Sequence, residues 1–152
     1  MRTRDGSYED RIGAQGEAYA GPEPGTPKMT NDELSIDLKP EDGGETLAVA
    51  LGGSMDIATS PTVRAALSEA IDGGANHLIV DLTRLEFLDS TGLGVLIGAH
   101  RRVAERDGSL RLIVNEGPIS RLLNITGLIA VFAVYRSPED ARRDRGRLGA
   151  PV

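Results

Sequence analysis

The chain has 152 residues, a formal net charge of −6 and no cysteine. This length suits one domain whose core needs no disulfide or metal, and the missing thiols exclude a disulfide scaffold, a thiolate nucleophile and a cysteine-based zinc site. The charge is −2 over residues 1–32 (four basic, six acidic), −7 over 33–141 (nine, sixteen) and +3 over 142–152 (four, one), so the acidic domain argues against nucleic acid and anionic membrane as partners.

Residues 1–32 set Gly21, Pro22, Pro24, Gly25 and Pro27 among scattered charges with hardly any large aliphatic side chains. Burial cannot offset the entropy of ordering such a segment, and a disordered N-terminal tail is expected. Arg2 and Arg4 are followed by Asp5, Glu9 and Asp10 rather than an apolar run, so neither a signal peptide nor a membrane span is expected there. A soluble, cytoplasmic protein is the resulting expectation.

From Glu33 the pattern changes. Leu34, Ile36 and Leu38 alternate with Ser35 and Asp37, the period of a half-buried strand that Pro40 should end. Glu41, Asp42, Gly43 and Gly44 suit a tight reversal into a second strand, Leu47 to Leu51, so a hairpin should open the domain. Beyond Gly52, Gly53, Ser54, Met55 and Asp56, Ser60 is the expected cap and Pro61 the first-turn proline of a helix lined by Val63, Leu67, Ala70 and Ile71.

Gly73 and Gly74 stop that helix, and the run Leu78, Ile79, Val80 between His77 and Asp81 predicts a central strand covered on both faces. Phe87 and Leu88 lead through Asp89, Ser90, Thr91 and Gly92 into the longest helix, with Leu93, Leu96, Ile97, His100, Val103 and Ala104 at helical spacing. Leu110 to Val114 is another strand and Pro118 to Thr126 a helix capped by Gly127 and Leu128. Ile129 to Tyr135 should return to the sheet. Ser137 and Pro138, with Glu139 and Asp140 in the first turn, start a last helix that frays into Arg142, Arg143, Arg145 and Arg147. The order ββαβαβαβα argues for a single α/β domain over 33–141, a mixed central sheet with packed helices, followed by a basic tail over 142–152.

Ser90 falls between a central strand and the N-terminus of the long helix, where unpaired amides and the positive end of the dipole favour negative charge. A phosphate there would add nearly two charges beside Asp89 and so alter binding rather than the fold. The competing reading is that Ser90 caps the helix, and Thr91 is the weaker alternative acceptor. Gly94 and Gly98, one turn apart on the outward side of the same helix, each cost it about 1 kcal/mol relative to alanine, and a flat patch for a partner's backbone would explain both.

Catalytic readings fail on specific residues. Leu88 stands where a nucleophile elbow needs its first glycine, and His100 lies about 15 Å along the helix from Ser90 while His77 opens the central strand, so no base reaches the hydroxyl. Asp56 and Asp81 near strand ends suggest a receiver domain, but Lys28 and Lys39 are the only lysines and neither is near them. A phosphate-binding loop is missing for want of Gly-Lys-Ser or Gly-Lys-Thr. No metal site, cofactor or enzymatic activity is expected.

The stretch Phe87-Leu88-Asp89-Ser90-Thr91-Gly92-Leu93-Gly94-Val95-Leu96 closely resembles the anti-sigma factor antagonists, the bacterial branch of the STAS domain family. Gly53-Ser54-Met55-Asp56 is similar to that family's turn after its second strand, Val80-Asp81-Leu82 to its central strand, and Leu122 to Leu128 to its late helix and cap. The resemblance spans roughly Leu34 to Asp140 and implies a STAS fold and a partner switch. The unphosphorylated chain would bind an anti-sigma factor that is also a serine kinase and so release the sigma factor. Phosphorylation of Ser90 would end the binding, and a metal-dependent serine phosphatase would restore it. Partner contacts would then come from Asp56, Asp89, Ser90, Thr91, Gly92, Leu93, Gly94 and Gly98, with Asp56 equally open to a turn role. STAS domains also serve as scaffolds and ligand sensors without serine phosphorylation, the alternative function. With few large apolar residues expected at the surface, a monomer between partners is expected.

Overall fold

The computed structural model describes residues 28–30 and 33–144. Six strands form one sheet in chain order. β1 (Lys28–Thr30) runs antiparallel to β2 (Leu34–Glu41), which forms the expected hairpin with β3 (Thr46–Met55). β1 falls inside the stretch that composition assigned to the disordered tail, a correction at three residues. Its pairing is through the main chain, which composition does not register. The remainder of that stretch, and 145–152 of the basic tail, lie outside the described residues.

From β3 onward the strands are parallel: β4 (His77–Leu88), β5 (Ser109–Ile113) and β6 (Ala133–Tyr135). The helices between them are α1 (Ser60–Asp72), α2 (Ser90–Ala104) and α3 (Pro118–Thr126), with α4 (Pro138–Arg143) last. From β2 on, this is the order read from the sequence. Strand alternation sorts the layers. Leu78, Val80 and Leu82 of β4 join one core with Val63 and Leu67 of α1, Leu96 and Val103 of α2, and Ile119 and Leu123 of α3. Ile79 points the other way and packs with Ile113, Tyr135 and Ala141 of α4. The central strand is therefore covered on both faces, as its apolar run requires.

Several boundaries differ from expectation for local reasons. Pro40 does not end β2 but pairs with Leu47. Among the described residues β1 pairs with residues 35–37 of β2. Ser60 is the first helical residue rather than the cap and is fully buried, while Thr59 holds the cap position without a side-chain capping bond. The stretch from Ile129 to Tyr135 is only partly strand, because residues 128–130 form a turn of 3₁₀ helix before β6. Ser137 caps α4 as expected, accepting from Asp140 N at 3.1 Å. Arg142, assigned to the basic tail, belongs to α4 and grips Glu41 of β2 at 2.7 Å.

Gly53 is the tightest point in the hairpin. It has φ +89, and a Cβ there would lie 2.1 Å from the carbonyl oxygen of Glu33, which accepts from Ser54 N at 2.7 Å. Gly74, with φ +116 and open space around it, has the conformational requirement without the clash. Gly53→Ala is expected to lower unfolding free energy by about 3 kcal/mol or more and Gly74→Ala by about 1 kcal/mol. Equal urea midpoints for the two variants would contradict that assignment.

Candidate functional site

β3 and β4 outrun the rest of the parallel sheet. β4 pairs with β5 only from His77 to Asp81 yet stays paired with β3 as far as Leu88. The extra length carries its loops past β5, with β2 still paired to β3 as far as Gly53 and register shifts between Ala50 and Gly52 and between Gly53 and Ser54. The last pairs are Ser54 with Phe87 and Met55 with Leu88, which sets Asp56 next to Asp89. Loops at the carboxyl ends of parallel strands are where α/β sheets gather functional groups.

α2 starts directly on this extension. A Cβ on Gly92 would lie 2.6 Å from Leu88 Cδ1, 3.0 Å from Met55 Cγ and 3.1 Å from Met55 O, so glycine is what lets the first turn close down on both strand ends. Asp89 is the cap: its backbone is extended, Oδ1 accepts from Gly92 N at 3.1 Å, and its own N–H donates to Met55 O at 3.2 Å. The reading of Ser90 as the cap is thereby corrected. Carboxylate and hydroxyl are both good caps, but only Asp89 has the non-helical backbone that the cap position demands. Ser90 is the first residue of the helix and is exposed, and Thr91 beside it is half-buried.

The remaining candidates divide by depth. Leu93 is 7% exposed and faces the core, and Gly92 is buried, so these two hold the helix in place rather than meet a partner. Gly94 and Gly98 have open space where a Cβ would be, which keeps the outward side of α2 flat. Asp56 takes the turn role: Oδ1 accepts from Ala58 N at 2.9 Å and Thr59 N at 3.1 Å. Thr59 Oγ1 donates to Ser54 O at 2.9 Å and accepts from Asp56 N at 2.9 Å. The loop leading to α1 is thus pinned, with the half-buried Asp56 beside Asp89.

Both histidines are employed elsewhere. His77 Nδ1 lies 3.0 Å from Ser109 Oγ at the start of β4, the far end of a twelve-residue strand from Ser90 and roughly 36 Å away. His100 packs edge-on against Phe132 with ring centroids 5.5 Å apart. Its Nδ1 is buried without a hydrogen-bond partner, and burial first, then the charge of Arg101, holds its pKa below the ordinary value. Asp81 lies inside β4, where its carboxylate accepts from the Thr83 hydroxyl at 2.6 Å. Among the described residues no group of three or more His, Asp or Glu side chains is placed to hold a metal, and no helix is long and apolar enough to cross a membrane.

Residues 37–141 match the family model described as STAS domain. Over 109 residues the chain is 30% identical to an anti-sigma F factor antagonist of Paenibacillus polymyxa, a match covering 71% of this chain and 93% of that protein. The structure of the Bacillus cell fate determinant SpoIIAA in the phosphorylated form is similar at a TM-score of 0.57 and 28% identity, over 72% of this chain and 99% of that one. An anti-sigma factor antagonist from Mycobacterium paratuberculosis shares the fold at a TM-score of 0.68 and 23% identity, over 77% of this chain and 97% of the other.

Two outcomes follow from the capping and from the buried imidazole. Asp89→Ala should lower unfolding free energy by about 1 kcal/mol and Ser90→Ala by less than about 0.5 kcal/mol, since only the first removes a cap. The reverse ranking in urea unfolding would return the cap to Ser90. For His100, the unfolded state binds its proton more readily than the folded state does. Its contribution to stability is therefore complete above the unfolded pKa of about 6.5 and is lost as pH falls through that value towards the lower folded pKa. Wild type should lose stability relative to His100→Leu between about pH 8 and about pH 5, and parallel curves would contradict it.

Proposed function

The chain belongs to the STAS domain family, and we propose that it is an anti-sigma factor antagonist whose binding is switched at Ser90. In the unphosphorylated form it binds an anti-sigma factor that is also a serine kinase and so frees a sigma factor for transcription. Phosphorylation of Ser90 ends that binding and a serine phosphatase restores it. The chain is then the substrate of both enzymes and the catalyst of neither, working in the cytoplasm where sigma factors act. Residues 33–141 form the bulk of the working domain, with β1 before it and the end of α4 after it joined to the same fold.

One observation carries the switch: Ser90 is exposed at the start of α2 while Asp89 does the capping. A hydroxyl with a structural bond would have to give it up on modification, whereas this one has no part in the cap. The N-terminal end of the helix favours the added negative charge, so the modified chain keeps its fold. Next to Asp89 and Asp56, the bulk and charge of the phosphate unseat a surface fitted to the unmodified form. Thr91 is the alternative acceptor, disfavoured by its partial burial. The phosphorylated form of the similar SpoIIAA structure supports the same chemistry here. The missing imidazole near Ser90 supports a non-enzymatic role.

Binding of wild type, Ser90→Ala and Ser90→Asp to the anti-sigma kinases of the source organism tests this reading by calorimetry. One kinase should bind wild type and Ser90→Ala alike and Ser90→Asp about tenfold or more weakly, a difference of about 1.4 kcal/mol. With ATP, wild type should gain the mass of one phosphate and Ser90→Ala none. Equal affinity of all three forms would remove Ser90 as the switch.

A further inference from the structure

Among the described residues, three large apolar side chains are exposed: Ile57 at 74%, Phe87 at 51% and Ile125 at 81%. Two of the three belong to the chain segments that meet at the Ser90 end of the sheet. Phe87 is next to last in β4 and pairs with Ser54, and Ile57 follows Asp56 in the loop leaving β3. This loop is not slack. Asp56 accepts from the amides of Ala58 and Thr59, and Thr59, 3% exposed, ties back to Ser54 O, so Ile57 is held out at a pinned turn. The backbone thus presents an apolar side chain to water in a fixed place, and an aromatic ring stands on the adjoining strand. Such pairs, rigid and exposed, are what binding partners cover.

Charge says what kind of partner. The two segments that build this end, residues 54–59 and 84–90, hold Asp56, Glu86 and Asp89 against the single base Arg84. The complementary surface is an apolar pocket rimmed by arginine or lysine.

We propose that Ile57 and Phe87 are the apolar anchors by which the anti-sigma factor is held, entering such a pocket with Ser90 alongside them. This rests on the antagonist reading and adds how the switch acts. A phosphate on Ser90 would be carried into a contact that excludes water, where its bulk and its partly lost hydration beside Asp89 keep the two anchors from seating in the pocket. Ile125 lies on α3, a different element, and takes no part.

The test measures the affinity of the full chain for the anti-sigma factor that binds wild type, using Ile57→Ser, Phe87→Thr and Ile125→Ser. All three sites are exposed, so urea midpoints should stay near wild type, and Ile57→Ser, in a loop, separates binding from any loss of strand stability at Phe87. The expected result is a rise in Kd of about tenfold or more for Ile57→Ser and for Phe87→Thr, and less than about twofold for Ile125→Ser. Wild-type affinity should also fall as salt rises. If Ser90→Asp abolishes binding while Ile57→Ser and Phe87→Thr bind as wild type does, the anchors are overturned and the switch stands. If no anti-sigma factor binds wild type, the antagonist reading falls and the anchors with it.

Discussion

The site depends on how closely the first turn of α2 sits on the ends of β3 and β4. Gly92 leaves no side chain between the helix and Met55 or Leu88, and the bond from Asp89 N to Met55 O fixes the approach. Everything that faces outward at this end follows. With Gly92 and Leu93 directed inward, Ser90 at the start of the turn and Gly94 beyond it are left on the surface. A methyl group at position 92 would lift the helix and with it the direction of the Ser90 hydroxyl.

A division of labour between adjacent residues goes with this packing. Asp89 meets the orphan amide of the helix start, and Asp56 meets those of the loop before α1. Both carboxylates are occupied by their own backbone, so the fold does not call on Ser90. That is the physical condition for a modification that changes recognition while leaving stability nearly alone: the group that is modified must not be one that holds the structure. The helix dipole adds to this, since the new charge arrives at its positive end.

The length of β3 and β4 beyond β5 suits this end of the sheet to the partner contact proposed for it. The extension raises Asp56, Ile57, Phe87 and Ser90 past β5, and the register shifts near Gly53 bend it on the way. At the other end of β4, His77 is tied to Ser109, and His100 points into the packing around Phe132. The geometry that makes Ser90 accessible to another protein keeps it away from any imidazole that could turn it into a nucleophile.

The periodicity of apolar residues determined the element types and their order, because a strand covered on both faces and a helix packed on one side leave different repeats in the chain. Leu78-Ile79-Val80 and the spacing from Leu93 to Val103 are such cases. The motif around Ser90 likewise marked the family and the candidate site. Other features depended on neighbours distant in sequence. Pro40 stays within β2, paired with Leu47, and β4 continues to Leu88 because β3 is there to pair with it. The choice between Asp89 and Ser90 as cap is a matter of one backbone angle, which two equally good capping residues do not reveal. Leu93 and Gly94 are neighbours in the chain, yet the sheet under α2 makes one core and the other surface. The sequence by itself determined which elements form and which serine to propose as the switch; the tertiary structure decided which atoms at that end are already engaged and which lie at the surface, because hydrogen-bond partners and close approaches belong to the packed chain and not to its pattern.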